Sequence, residues 1–296
     1  MSSFRGSIVP IVTPFKNGEV DYNSLSQLIE WQIASGSHGI SVTGTTGEPS
    51  SLTITERKQV MKTACETVNG RVPFIPGTGS ANHLETIELS RYAEQIGANA
   101  IMLIAPYYLR PSQEGLFQHF SQVASQVELP IILYNIPGRT AVNIAIDTVA
   151  RLKEHHQNII GVKESNKDFE HINRLLQRMG RDFCVYSGIE LLCFPILAIG
   201  GAGYISATGN LLPTKVANLY NFVRDNKWQQ AQDLHYEMMT LNDAIFLEIN
   251  PVPVKTVLGM MGKISPEVRL PLSAVSEENN AKLRNIALQY QLIAEE

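Results

Sequence analysis

The sequence predicts an α/β fold, a (βα)8 barrel of the TIM type with a C-terminal helical subdomain. Three observations lead there. Short, often β-branched apolar runs recur eight times, an amphipathic stretch follows each run, and the runs are apolar on both faces, as strands of a fully covered parallel sheet must be.

Taken in order, the first run is SIVPIVT (7–13), and behind it Leu25, Leu28, Ile29 and Ile33 share one helical face that stops near Gly36. GISVTG (39–44) leads to a second helix, where Thr53 and Glu56 have capping-box spacing and Val60, Met61 and Cys65 face inward. PFIPG (73–77), AIMLIAP (100–106), PIILYNIP (130–137), IIGVKES (159–165), FCVYSG (183–188) and GYISATG (203–209) complete the strands. They alternate with helical patterns at 82–96, 113–126, 146–154, 167–178, 190–199 and 212–225. Residues 1–225 are thus expected to form the barrel. Residues 226–296 lack strand signals and read as a helical extension packed on it, since no low-complexity linker intervenes.

Composition narrows the partners. The net charge of −4 and the scattered Lys and Arg residues leave no basic patch for nucleic acid. Cys65, Cys184 and Cys193 are widely spaced, two of them in apolar runs, which suits reduced thiols in the cytoplasm. The apolar part of MSSFRGSIVPIVTPF is too short and too proline-rich for a secretory signal, and no run reaches about 18 apolar residues, so no membrane association is expected. There is neither a C-x-x-C pair nor an H-E-x-x-H helix, and His155 and His156 sit at a polar helix end; no metal is expected.

Barrels of this type do chemistry at the C-terminal ends of their strands. The polar residues found there are Thr13, Thr45, Thr46, Glu48, Tyr107, Tyr108, Tyr134, Asn135, Arg139, Lys163, Glu164, Ser187 and Ser206. An amine that loses hydration in an apolar setting favours its neutral form, which can attack a ketone and make a Schiff base. Such chemistry needs a proton shuttle. Tyr134, on the neighbouring strand end, could supply it, with Thr45 and Tyr108 passing the proton to solvent. Arg139 offers a planar fork for a carboxylate.

Singly, each residue has a plainer role. Lys163 could be a solvated charge, Tyr134 a core aromatic, Tyr107 and Tyr108 a packed loop or subunit contact, Thr45 and Thr46 a helix cap or anion cradle, and Arg139 half of a surface ion pair. GGAGYISATG could cup a phosphate, although it lacks the G-x-G-x-x-G pattern.

GTTGE (44–48), PYY (106–108), YNIPGRT (134–140), GVKES (161–165) and NPVPVK (250–255) together resemble the signatures of the dihydrodipicolinate synthase family. That family lies within the pyruvate-dependent lysine aldolases that also include N-acetylneuraminate lyase, and the similarity runs end to end. The resemblance implies that Lys163 forms an imine with pyruvate, that Tyr134 is the proton donor and acceptor, and that Thr45 and Tyr108 complete the relay. It implies that Tyr108 enters a neighbouring subunit's site, that Thr46 holds the pyruvate carboxylate, and that the Gly188 and Ile205 backbones line the same pocket. Arg139 would take the carboxylate of L-aspartate 4-semialdehyde. The product would be 4-hydroxy-tetrahydrodipicolinate, on the way to diaminopimelate and lysine, made without metal or organic cofactor by a homo-oligomer, a tetramer built as a dimer of dimers. Another pyruvate-dependent aldolase or dehydratase, or a pyruvate-binding sensor, would share the pocket. The chain departs from the family's usual Ser-Ala-Thr after GTTGE, having Pro49, Ser50 and Ser51. Ile54, Arg57 and Ala81 stand where lysine-sensitive members carry histidines and an asparagine, which implies weak lysine inhibition or none.

Overall fold

The computed structural model describes residues 4–295. Its strands are β1 (Gly6–Pro10), β2 (Phe15–Lys16), β3 (Glu19–Val20), β4 (Gly39–Ser41), β5 (Ile101–Ile104), β6 (Ile131–Asn135), β7 (Ile159–Glu164), β8 (Cys184–Ser187) and β9 (Gly203–Ile205). Seven of them form one sheet in the order β4-β1-β9-β8-β7-β6-β5. Every pairing in that sheet is parallel.

The expected third strand, PFIPG, is present as two isolated bridges instead of a ladder, Ile40 to Phe74 and Gly77 to Met102. Prolines explain the difference, because Pro73 and Pro76 have no N–H to donate. The segment uses what it has. Ile75 N donates to Ile40 O at 2.8 Å, and Met102 N donates to Pro76 O at 2.9 Å. It thereby spans the gap between β4 and β5 and closes the barrel.

One element escaped the sequence reading. β2 and β3 pair antiparallel around Asn17 and Gly18, whose φ values of 54° and 82° are those of a two-residue primed turn. Asn-Gly between Phe-Lys and Glu-Val is the signal for that turn, overlooked because the flanking strands are only two residues long. The first helix, Tyr22–Ala34, is capped by Asp21, and the expected Thr53–Glu56 capping box is formed in both directions at the start of Ile54–Val68.

Two apolar layers result. Ile8, Ile75, Met102, Ile132, Ile160 and Ile205 fill the barrel interior. The larger layer lies between strands and helices and continues through Leu241, Val254, Val257, Leu258 and Leu283 of the C-terminal helices. Those helices are Trp228–Glu237, Met239–Ala244, Val252–Met260 and Glu277–Gln289.

A buried ion pair joins the C-terminal helices to the barrel. Lys255, with 0% side-chain exposure, places Nζ 2.7 Å from Oε1 of Glu48, whose side chain is 1% exposed. The same ammonium lies 4.1 Å from the Phe15 ring centroid, and the Arg269 guanidinium lies 4.5 Å from that ring. Arg269 also donates to Gly18 O in the overlooked hairpin and pairs with Glu56 at 2.7 Å. Removing one partner of a buried pair strands the other charge, which costs about 3–5 kcal/mol. Lys255→Met is therefore expected to lower the unfolding free energy by that amount, with a lower urea midpoint, and the Lys255→Met, Glu48→Gln double variant to recover a large part. Equal midpoints for wild type and Lys255→Met would show that the pair contributes nothing.

Candidate active site

β6 and β7 run in a register that sets Tyr134 beside Lys163, after a one-residue shift near Ile131 and Ile132. Lys163 extends into the barrel, 5% exposed, with Nζ 4.2 Å from the Tyr134 ring centroid. Among the described residues it makes neither an ion pair nor a hydrogen bond. Burying an ammonium without a partner is costly, so this nitrogen is left free for something that the chain alone does not supply.

Glu164 points the other way, as side chains along a strand alternate. It is 1% exposed and its carboxylate accepts from Asn135 Nδ2 at 3.0 Å and from the Asn166 backbone N–H at 2.8 Å. His171 Nε2 stands 3.4 Å away. Asn135 also donates to Asn143 Oδ1 at 2.7 Å and accepts from Ile144 N–H at 3.0 Å. The lysine is thus backed by a carboxylate that fastens its strand end to the next loop and to the helix Phe169–Met179.

Tyr134 is buried, and Thr45 Oγ1 donates to its hydroxyl at 3.5 Å, the outer limit of a hydrogen bond. Burial pushes the phenol up, but Lys163, Thr45, Ser165 and Arg139 together outweigh it and hold the group below its ordinary value. Thr45 and Thr46 sit in a tight turn, and both neighbours of that turn, Thr43 and Glu48, have φ of 53°. A β-branched residue there is strained by about 1–3 kcal/mol. Thr43 Oγ1 offsets part of it by donating to Val42 O at 2.7 Å and Gly77 O at 2.8 Å.

A cavity of about 260 Å³ opens over these groups, lined by Thr45, Glu48, Tyr107, Tyr134, Arg139 and Asn250 among others. Pro49, Ser50 and Ser51 form a short 3₁₀ turn on the same wall. Arg139 comes from the four-residue helix Pro137–Thr140 at the rim and donates to Asn250 O at 3.0 Å. Thr46 is buried, and its hydroxyl accepts from Asn250 Nδ2 at 3.1 Å. Ile205 lies in the barrel interior, 2% exposed. Gly188 has no room for a side chain, since a Cβ would stand 2.0 Å from Ser165 Oγ and 2.8 Å from Lys163 Cε.

The cavity itself gathers Thr45, Tyr134 and Arg139. Lys163 stands against the Tyr134 ring with Gly188 beside its stem, and Thr46 is joined through Asn250, but Lys163, Thr46, Gly188 and Ile205 are not among the lining residues. Tyr108 is not among them within this chain: it is 90% exposed, on a backbone with φ of 73°. Its neighbour Tyr107 lines the cavity instead. Asn250 was missed as a site residue because it follows no strand. Its signal was the NPVPVK motif, whose Asn250–Pro251 bond is cis. Among the described residues no group of three or more His, Cys, Asp or Glu could hold a metal ion, and no helix is long and apolar enough to cross a membrane.

A barrel with a buried, unpaired lysine beside a tyrosine at its strand ends, and an arginine at the rim, is equipped as a Schiff-base lyase for small oxo acids. The Dihydrodipicolinate synthetase family model matches residues 3–290. A 4-hydroxy-tetrahydrodipicolinate synthase of Thermus thermophilus is 45% identical over 294 residues, covering 99% of this chain and 98% of the relative. The crystal structure of dihydrodipicolinate synthase from Aquifex aeolicus superposes with a TM-score of 0.97 at 40% identity, covering 99% of this chain and 100% of that one. A chloride-inhibited dihydrodipicolinate synthase from Acinetobacter baumannii, solved with pyruvate, has a TM-score of 0.95 at 41% identity, with 98% and 99% covered. The chain belongs to the dihydrodipicolinate synthetase family, and it is a lyase.

The Glu164–His171 pair has a pH signature. The hydrogen bond to Glu164 and the charges of Glu164 and Asp168 outweigh burial and raise the imidazole above its ordinary value of 6.5. A raised folded-state value means that the pair stabilises fully below about 6.5 and that this contribution is lost as pH rises through the folded value. The stability difference between wild type and His171→Gln should therefore be largest between about pH 5 and 6.5 and shrink above. Denaturant midpoints across that range check it, and a difference that grows with pH would contradict it.

Proposed function

We propose that this chain condenses pyruvate with L-aspartate 4-semialdehyde to 4-hydroxy-tetrahydrodipicolinate through an imine on Lys163, in the cytoplasm, with no metal or organic cofactor. The observation that carries the proposal is Lys163, 5% exposed, with neither an ion pair nor a hydrogen bond and with Nζ 4.2 Å from the Tyr134 ring centroid. The amine attacks C2 of pyruvate, and Tyr134 gives its proton to the carbinolamine oxygen, which leaves as water. The phenolate then takes a proton from the C3 methyl group, and the resulting enamine attacks the aldehyde carbon. The new alkoxide takes that proton back from Tyr134. Finally the amino group of the second substrate closes on C2 and displaces Lys163.

Thr45 sits on the Tyr134 hydroxyl and serves as the relay's next member. Thr46 holds the pyruvate carboxylate, with the Gly188 and Ile205 backbones beside it. Arg139, at the rim of the cavity, meets the carboxylate of the semialdehyde.

Tyr108 completes the relay from a partner subunit in a homo-oligomer, a tetramer built as a dimer of dimers. Its 90% exposure, beside Leu109 at 71% and with Leu84 at 74%, supports a partner surface there. Through a two-fold axis each subunit would both give and receive the tyrosine.

Borohydride reduction in the presence of pyruvate is expected to add one pyruvate-derived mass, mapped by peptide mass spectrometry to Lys163. Unmodified protein, or label on Lys255, would sink the mechanism. Arg139→Ala should leave that trapping intact yet lower kcat/KM for the semialdehyde by roughly ten- to a hundredfold, the scale of a charge-assisted hydrogen bond. Equal losses in both half-reactions would assign Arg139 to pyruvate or to the fold.

A further inference from the structure

Period-two alternation along β7 puts Ser165 on the same side as Lys163, with Glu164 between them facing outward. Its backbone N–H donates to Asn135 O at 2.8 Å, so the residue continues the strand one position past its last ladder pair, two residues beyond the Tyr134–Lys163 pair and on the same side. Ser165 is 7% exposed, and its hydroxyl is buried without any hydrogen-bond partner. The hydroxyl crowds the reacting lysine: a side chain at Gly188 would collide with Ser165 Oγ and Lys163 Cε together.

A buried hydroxyl without a partner is unfavourable, and such groups in a folded protein call for an explanation. The Tyr134 hydroxyl has room for a further donor. The Tyr134 oxygen receives only the 3.5 Å contact from Thr45, although the Ser165 hydroxyl is among the groups that hold this phenol below its ordinary value. Two under-bonded oxygens, on adjacent strand ends and next to one amine, are complementary.

We propose that Ser165 is a second hydrogen-bond donor to Tyr134, closing onto the phenolate oxygen each time Tyr134 has released its proton. The hydroxyl keeps its own proton throughout; it stabilises the charged oxygen that must wait between protonating the carbinolamine oxygen and abstracting from the C3 methyl group. In the resting site the two hydroxyls are close enough for Ser165 to favour the phenolate but form no hydrogen bond of good geometry, which leaves Ser165 Oγ without a full partner. This role rests on the imine reading above and assigns Ser165 as a positioning residue that acts through Tyr134.

The test uses full-length wild type, Ser165→Ala and Ser165→Thr with pyruvate in heavy water. Exchange of the C3 hydrogens is followed by proton NMR across pH, with borohydride trapping at Lys163 and thermal unfolding in parallel. Ser165→Ala should trap as much pyruvate at Lys163 as wild type yet exchange roughly ten- to a hundredfold more slowly. The limb of its rate–pH profile that reports Tyr134 should move to higher pH, since loss of a donor makes the phenol harder to ionise. Its Tm should be equal to or above that of wild type, because an unpartnered hydroxyl has been removed. Ser165→Thr, which keeps the donor, should exchange within a few-fold of wild type. Unchanged exchange and an unchanged limb in Ser165→Ala would overturn the proposal, as would a fall in exchange matched by a lower Tm. Wild type that traps nothing at Lys163 would instead overturn the imine reading, and this proposal with it.

Discussion

The Lys255–Glu48 ion pair is the contact on which the site's shape depends. Glu48 closes the turn that carries Thr45 and Thr46, and it does so in a left-handed backbone conformation that the chain does not adopt without support. Lys255 anchors the helix Val252–Met260, and Asn250, two residues before that helix, reaches Thr46 and Arg139. Barrel turn, C-terminal helix and rim arginine are therefore one connected unit. A buried ion pair is weak evidence for stability, since well-packed apolar residues often do as well; what it adds here is a unique registration of two segments more than 200 positions apart in sequence.

Among the described residues two lysines are buried, and their surroundings divide the labour. Lys255 has its carboxylate at 2.7 Å and an aromatic face, and its nitrogen is fully occupied. Lys163 has an aromatic face and feels the buried Glu190 carboxylate, but it makes no ion pair or hydrogen bond. The carboxylate next to it in sequence, Glu164, is turned away by strand alternation and spent on Asn135, Asn166 and His171. Had Glu164 faced inward, it would have paired with the amine and blocked it. The Lys-Glu order at the end of an apolar strand thus separates a nucleophile from its brace by one residue.

Much of this was legible in sequence because the signals are local. Eight apolar runs with caps behind them define the barrel, and the position of Lys163 and Tyr134 at strand ends follows from counting. The rest depends on tertiary contacts that no local pattern encodes. PFIPG reads as a strand by hydrophobicity, but its prolines reduce it to bridges. The Asn17–Gly18 hairpin was hidden by the shortness of its strands, although Arg269 and Glu267 dock on it. Asn250 joins the site from the turn before the helix Val252–Met260, 204 positions from Thr46, and strand-end logic cannot find it. Ser165 was readable by alternation alone, yet its unpaired hydroxyl is visible only in three dimensions. Tyr108, expected at a mouth, is 90% exposed and does not line the cavity of its own chain, a placement that follows from no local pattern.

The central claim is that the free amine of Lys163, not the paired one of Lys255, meets pyruvate carbon. A crystal structure of the wild-type enzyme soaked with pyruvate tests this most directly. The account predicts continuous density from Lys163 Nζ to C2, with the carboxylate on the Thr45–Thr46 turn, the Tyr134 oxygen within hydrogen-bond distance of the new bond, and Lys255 still on Glu48. Pyruvate bound without a covalent link to Lys163, or linked to any other lysine, would contradict it.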